Sequence, residues 1–128
     1  MQKQEFENYT KEILDSSIMV HKDMGPGLLE SVYQYCLVEE LKSRNVFVEE
    51  QVSVPLFYKG RILDKDFRID ILVAKEIIIE LKAVEILLPV HEAQIISYLK
   101  LADKRLGFLI NFNVPLLKSG FKRFVNNY

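Results

Sequence analysis

Apolar residues recur at helical spacing in the first third of the chain and at strand spacing after it. Phe6, Tyr9, Ile13 and the Ser17-Ile18 pair fall on one side of a helical wheel, which predicts an amphipathic helix over residues 5–22. Gly25-Pro26-Gly27 breaks it. A second helix is expected from Leu28 to Ser43, with Val32, Tyr33, Cys36, Leu37 and Leu41 inward, and Asn45 suits a left-handed end to it. Residues 46–58 are rich in β-branched and aromatic side chains, and Lys59-Gly60 offers a tight turn into a second arm over 61–73. In that arm Asp64, Asp66, Arg68 and Asp70 share one parity, while Leu63, Phe67, Ile69 and Ile71 share the other. A strand at 77–83 follows a turn through Ala74-Lys75-Glu76. Pro89 then suits the opening of a helix to about Asp103, with Val90, Ala93, Ile95-Ile96, Leu99 and Ala102 as its apolar positions. That helix is long enough to cross over, so a last strand at 106–112 is free to lie parallel to an earlier one. The stretch from Val114 to Tyr128 fits either a short strand or a turn of helix. The expected fold class is α/β: a mixed sheet of about four strands flanked by helices, in the order α, α, β, β, β, α, β.

One polar interruption stands out. Ile77-Ile78-Ile79-Glu80-Leu81-Lys82 reads as a strand covered on both faces, yet it places a carboxylate and an amine two positions apart. On a strand, Glu80 and Lys82 share a face. Charges in such a run are costly unless they are paired or held by a metal. If the preceding strand returns antiparallel, Asp70 comes beside Glu80, and two carboxylates with a lysine suit Mg²⁺, a hard ion that takes oxygen ligands. A buried Glu80–Lys82 ion pair is the plain structural alternative.

Composition narrows the field. The 128 residues, 49% hydrophobic, suit one domain spanning 1–128 with a real core. The single cysteine, Cys36, reads as a small buried apolar group. No apolar run approaches the roughly 18 residues of a membrane span, and a cytoplasmic location is the default expectation. Net charge is only −1, but residues 100–128 carry Lys100, Lys104, Arg105, Lys118, Lys122 and Arg123 against Asp103 alone. A polyanion would find a basic patch there, unless those side chains are simply a solvated surface. His21 and His91 lack metal-ligand spacing. No phosphate-binding glycine loop, Gly-x-Ser-x-Gly elbow or Cys-x-x-Cys pair occurs, which leaves carboxylate chemistry.

Asp70, then Glu80-x-Lys82 on a central strand, after N-terminal helices and before a crossover helix, resembles the PD-(D/E)XK nuclease superfamily. Gly27-Leu28-Leu29-Glu30-Ser31-Val32-Tyr33 is similar to the signature of its GxxExxY family. The likeness runs from the first helix to Asn111–Pro115. It implies a restriction-endonuclease-like fold and Mg²⁺-dependent cleavage of nucleic acid, with DNA expected and Mn²⁺ able to substitute. It also implies roles: Asp70 and Glu80 as metal carboxylates, the Leu81 carbonyl as a further ligand, Lys82 as the catalytic lysine and Glu30 as the helix glutamate that many members add to the metal site. Gln94 and Tyr98 resemble a Gln-x-x-x-Tyr motif and, with Tyr33, Lys100, Lys104 and Arg105, are expected to contact the strand or support the site. One departure is Ile69, where many members carry Pro. A 15.0 kDa chain offers little surface to grip a duplex, so a homodimer or partner protein is also expected. Two competing readings stand beside the nuclease: a non-cleaving nucleic-acid-binding or assembly module, and a hydrolase of smaller phosphate esters.

Overall fold

The computed structural model describes all of residues 1–128. Helices α1 (Lys3–Met24) and α2 (Glu30–Ser43) lead into strands β1 (Val48–Tyr58), β2 (Arg61–Val73) and β3 (Ile77–Lys82). Helix α3 (Pro89–Leu101), strand β4 (Leu106–Asn111), a 3-10 turn (Leu117–Gly120) and strand β5 (Phe121–Val125) complete the chain. The strands form one sheet in the order β1-β2-β3-β4-β5, antiparallel except for the parallel β3–β4 pair that α3 connects. The fifth strand corrects the expected count of about four: residues 121–125 pair with β4 at the sheet edge. Period-2 patterning is hard to see there because Phe121 packs toward the α1–α2 layer and Phe124, of the opposite parity, toward the α3 layer, with exposed Lys122 and Arg123 between them.

Two layers of side chains cover the sheet. Ile77, Ile79 and Leu81 of β3 and Phe108 and Ile110 of β4 pack with Phe6, Ile13, Tyr33 and Leu37 from α1 and α2. Ile78 and Leu109, one residue out of step, pack with Ile95 and Leu99 of α3 on the opposite face. Both sides of β3 are thus covered, which is why Ile77–Leu81 reads as an unbroken apolar run. Cys36 is half-buried against the α1–α2 layer.

The β1–β2 hairpin turns at Lys59-Gly60 with φ of 50° and 76°, a geometry that glycine adopts without a Cβ penalty. Its side-chain alternation does not run straight. Ile71 and Val73 pack in the α1–α2 layer, whereas Phe67 and Ile69, of the same parity, pack in the α3 layer. In β1 the same exchange separates Val48 from Val52. Between them Gln51 adopts φ of 48°, a left-handed conformation unusual for a residue with a side chain. The hairpin therefore changes faces at the level of Gln51 and Asp70, and Leu63, expected in the core, is exposed.

Beside Lys82, at the C-terminal end of β3, Asn111 of β4 is buried and bonds three backbone groups: its Oδ1 accepts from Val84 (3.1 Å) and Asn113 (3.2 Å), and its Nδ2 donates to the Val84 carbonyl (2.8 Å). These bonds fix the chain as it leaves β3. Gly120 lies against the Asn111 carbonyl, where a Cβ would overlap backbone that cannot move aside. Gly120→Ala is accordingly expected to destabilise the fold by about 1–3 kcal/mol. The check is a lower urea midpoint at unchanged slope; an unchanged midpoint would contradict the packing described.

Candidate functional site

The antiparallel β2–β3 ladder runs through Val73↔Ile77, Leu72↔Ile78 and Ile71↔Ile79 and stops there. One further step of the same register brings Asp70 opposite Glu80, on one face. Asp70 bonds where a strand partner would: its Oδ2 accepts the Leu81 amide at 2.8 Å, while its own amide donates to Glu80 Oε1 at 3.3 Å. Even-numbered residues of β3 face β4, as the bond from the Phe112 amide to the Lys82 carbonyl shows. The Leu81 amide and carbonyl therefore both point to the β2 side, into the opening that Asp70 creates.

Glu80 is 5% exposed, and Asp70 beside it is half-buried. Burial first, and then the negative charge of Asp70, push the Glu80 carboxyl up to about 9. Lys82, two residues on, lowers it only in part. No salt bridge joins Glu80 to Lys82, so the ion-pair alternative does not describe the resting arrangement. Lys82 instead borders an open cleft of about 490 Å³ shared with Val90, His91, Ala93, Gln94 and Ser97 on the outer side of α3. His91 Nδ1 accepts the Leu88 amide at 3.0 Å, closing the first turn of α3 at the cleft's edge.

Glu30 opens α2 and is exposed at its tip, but enough protein surrounds it that burial raises its pKa. Asp70 raises it further and Lys82 opposes the rise. It faces the same centre at longer range. No three His, Cys, Asp or Glu side chains gather closely; Asp70 and Glu80 lie in contact, and Glu30 stands apart from them. Glu30 is the first residue of α2, so its position is set by where that helix begins. Tyr33, one turn on, is fully buried; its hydroxyl donates to the Gly25 carbonyl and accepts the Leu28 amide at 3.1 Å. Its ring stacks on Phe112 with centroids 4.6 Å apart. Tyr33 thus fixes the loop before α2 and cannot itself touch a ligand.

On α3, Gln94 Nε2 donates to the Tyr98 hydroxyl at 2.8 Å, and the Tyr98 ring stacks on Phe67 at 4.0 Å. Burial, then the negative charges of Glu80 and Asp70, raise the Tyr98 pKa. Tyr98 is thus within electrostatic reach of the carboxylates, and Gln94, bonded to it, lines the cleft with Lys82. Lys100, Lys104 and Arg105 do not line it. Leu106 pairs with Ile77 and Asn111 with Lys82, so the chain enters β4 at the end of the sheet away from Lys82, roughly 17 Å off at about 3.3 Å per residue. The crossover that makes β4 parallel carries these cations to the far end. Arg105 is also engaged there, over the Phe6 ring and against the Met1 and Tyr128 carbonyls. Lys122 pairs with Glu92 and Arg123 with Glu7, so with Arg105 half of the expected basic patch is spent on internal contacts.

Two residues at the site carry no signal in the sequence. Gln51 Nε2 lies 3.4 Å from Asp70 Oδ1 and 3.0 Å from Gln34 Oε1, and Gln34 Nε2 reaches Glu50 at 3.3 Å. Gln34 stands one turn beyond Glu30 on α2, so this chain of amides ties that helix to Asp70. From the Lys59-Gly60 turn, plain register would put Gln51 opposite Arg68. An irregularity between Pro55 and Phe57 moves the pairing by two and brings it to Asp70.

A family model described as PD-(D/E)XK nuclease superfamily matches residues 7–124. Among solved structures, the chain is similar to one titled "Crystal structure of SSO0001", with a TM-score of 0.53 and 21% sequence identity. The match covers 94% of this chain and 58% of that one, so the chain spans under two thirds of its solved relative; at this identity the likeness speaks for the fold. No curated protein matches.

Glu80 gives a stability prediction with a definite sign. Its folded pKa, about 9, lies above the ordinary 4.5, so the folded chain holds a proton that the unfolded chain has released, and stability falls as pH rises from about 4.5 to about 9. Glu80→Gln, which mimics the protonated acid, is expected to flatten this part of the metal-free melting profile, with the largest gain over wild type near pH 9. Parallel profiles for the two proteins would contradict the assignment.

Proposed function

The chain belongs to the PD-(D/E)XK nuclease superfamily, and from that premise we propose that it is a one-domain, Mg²⁺-dependent nuclease that hydrolyses phosphodiester bonds, in DNA by preference, at Asp70, Glu80 and Lys82. On the signature Gly27, Glu30 and Tyr33 we assign it to the GxxExxY branch. The observation that supports the reading most directly is the pairing of Asp70 with a buried Glu80 at the opening between β2 and β3. The donors there are oxygen atoms only, which suits a hard divalent ion. Glu80 gives the same indication: a carboxyl pushed up to about 9 by burial and an acidic neighbour regains its charge at neutral pH when a cation compensates both. The residues present therefore fit Mg²⁺ or Mn²⁺.

In this reading Asp70 and Glu80 hold the ion, with the Leu81 carbonyl on the same side. A divalent ion bound there supplies an acidified water and positive charge against the phosphate. The protein does the rest. The Leu81 amide and Gln51 keep the Asp70 carboxylate from turning away. Lys82, at the mouth of the cleft, donates hydrogen bonds that orient the attacking water and offset charge on the phosphate oxygens. Gln94 and Tyr98 form the wall along which the strand lies, and Glu30 lends a second acidic group to the water structure on the α2 side. No helix is long and apolar enough to cross a membrane.

Cleavage of single- and double-stranded DNA and RNA in Mg²⁺ or Mn²⁺ tests the proposal. Activity is expected to fall at least about 100-fold in Asp70→Asn, Glu80→Ala and Lys82→Ala; variants that cut as well as wild type would overturn it. Ion binding provides a separate check. Because Glu80 must release a proton, Mn²⁺ affinity is expected to rise about tenfold per pH unit below pH 9, with about one proton released per ion in calorimetry across buffers of different ionisation enthalpy. Proton-neutral binding at pH 7 would contradict the role given to Glu80.

A further inference from the structure

Past the last β2–β3 pair at Ile71↔Ile79, strands β1 and β2 continue without a third strand beside them. The near half of this ribbon rests on α3 through Val52, Val54, Phe67 and Ile69. The far half, residues 57–66, is exposed throughout. It presents Phe57, Tyr58 and Ile62 at 62%, 64% and 65% exposure, an apolar group that the fold itself does not use. Interleaved with these are Lys59, Arg61, Lys65 and Arg68, none of them in a salt bridge, against Asp64 and Asp66. Lys122, Arg123 and Arg105, by contrast, are spent on internal contacts. Lys82 apart, the unspent positive charge next to Asp70 along the chain is Arg68 on the ribbon.

Dimensions point the same way. At about 3.3 Å per residue, Arg68 stands roughly 7 Å along the strand from Asp70, and the Lys59-Gly60 turn stands roughly 30 Å away. That reach is close to the ~34 Å of one turn of B-form DNA. A two-stranded ribbon also has a width that the major groove admits. Free cations at intervals answer a phosphate backbone, and exposed aromatic faces answer stacked bases.

We propose that the β1–β2 ribbon is the arm that holds the nucleic acid, with Arg68, Lys65, Arg61 and Lys59 along the backbone and Phe57 and Tyr58 against bases at the tip. This rests on the nuclease reading above, because the arm springs from Asp70 and delivers the bound strand to the opening beside it. The tip lies outside both core layers, so its substitution leaves the fold intact, and circular dichroism verifies this for each variant.

The test is fluorescence anisotropy of labelled 20-nucleotide single strands and 20-base-pair duplexes with the full chain, in EDTA so that nothing is cut, over a salt series. Lys59→Ser with Arg61→Ser is expected to weaken binding and to lower the slope of log affinity against log salt by about 2. Phe57→Ser with Tyr58→Ser is expected to weaken single-strand binding about tenfold or more at an unchanged slope. Lys100→Ser with Lys104→Ser, at the far end of the sheet, should bind as wild type does. Ribbon variants that bind like wild type would overturn the proposal, as would variants that change only self-association, which would mark the tip as a protein interface. The two readings separate cleanly. If the ribbon variants lose binding while Glu80→Ala still cuts, the arm stands and the assignment of catalysis to Glu80 falls; a wild-type chain that binds no nucleic acid overturns both.

Discussion

The Leu81 amide donates to a carboxylate where a neighbouring strand's carbonyl would ordinarily stand, and the rest of the site follows from that substitution. By satisfying one backbone donor with its side chain, Asp70 ends the β2–β3 ladder three residues before β3 itself ends. The opening thus leaves the Leu81 and Asp70 amides partnered. It also brings β2, β3, the start of α2 and one face of α3 around a single point. The hairpin changes faces at the same level, with Gln51 in a left-handed conformation opposite Asp70. Strain of this kind persists only where the surroundings enforce it, and it gathers at working sites.

Electrostatics express the same constraint. Two carboxyl groups in contact and largely out of water cannot both ionise without compensation, and the proton settles on Glu80, the more buried of the two. The raised pKa values of Glu30 and Tyr98 reflect the same negative centre from α2 and α3. Nothing positive in the protein lies close enough to cancel it: Lys82 makes no salt bridge and opens instead onto the cleft beside α3. A site with uncompensated acid and oxygen donors suits a cation brought from solution.

Much of this was legible in the sequence because it rests on short-range regularities. The 3.6-residue and two-residue periods locate α1, α2, α3 and the first four strands within a few residues, and the polar break in Ile77–Lys82 marks the place of interest. The Asp70–Glu80 contact follows from one hairpin whose turn is visible at Ala74-Lys75. What depends on long-range geometry was not legible. Gln51 reaches Asp70 only because an irregularity near Pro55 shifts the register by two. The C-terminal cations form a cluster in the sequence, but the parallel crossover sends Lys100, Lys104 and Arg105 to the wrong end of the sheet, and Glu7 and Glu92, distant in the chain, neutralise Arg123 and Lys122. Glu30 was visible as part of a signature, but its distance from the carboxylate pair depends on where α2 starts, and that is fixed by Tyr33 hidden beneath the loop.

The central claim is that Asp70 and Glu80 form one oxygen-donor site for a hard cation. Anomalous scattering from a crystal soaked in Mn²⁺ tests it most directly. The account predicts a single strong peak within bonding distance of both carboxylates and next to the Leu81 carbonyl, lost in Asp70→Asn crystals. A soaked crystal in which the two side chains remain hydrogen-bonded to each other without a peak, or in which Mn²⁺ binds only elsewhere, would contradict it.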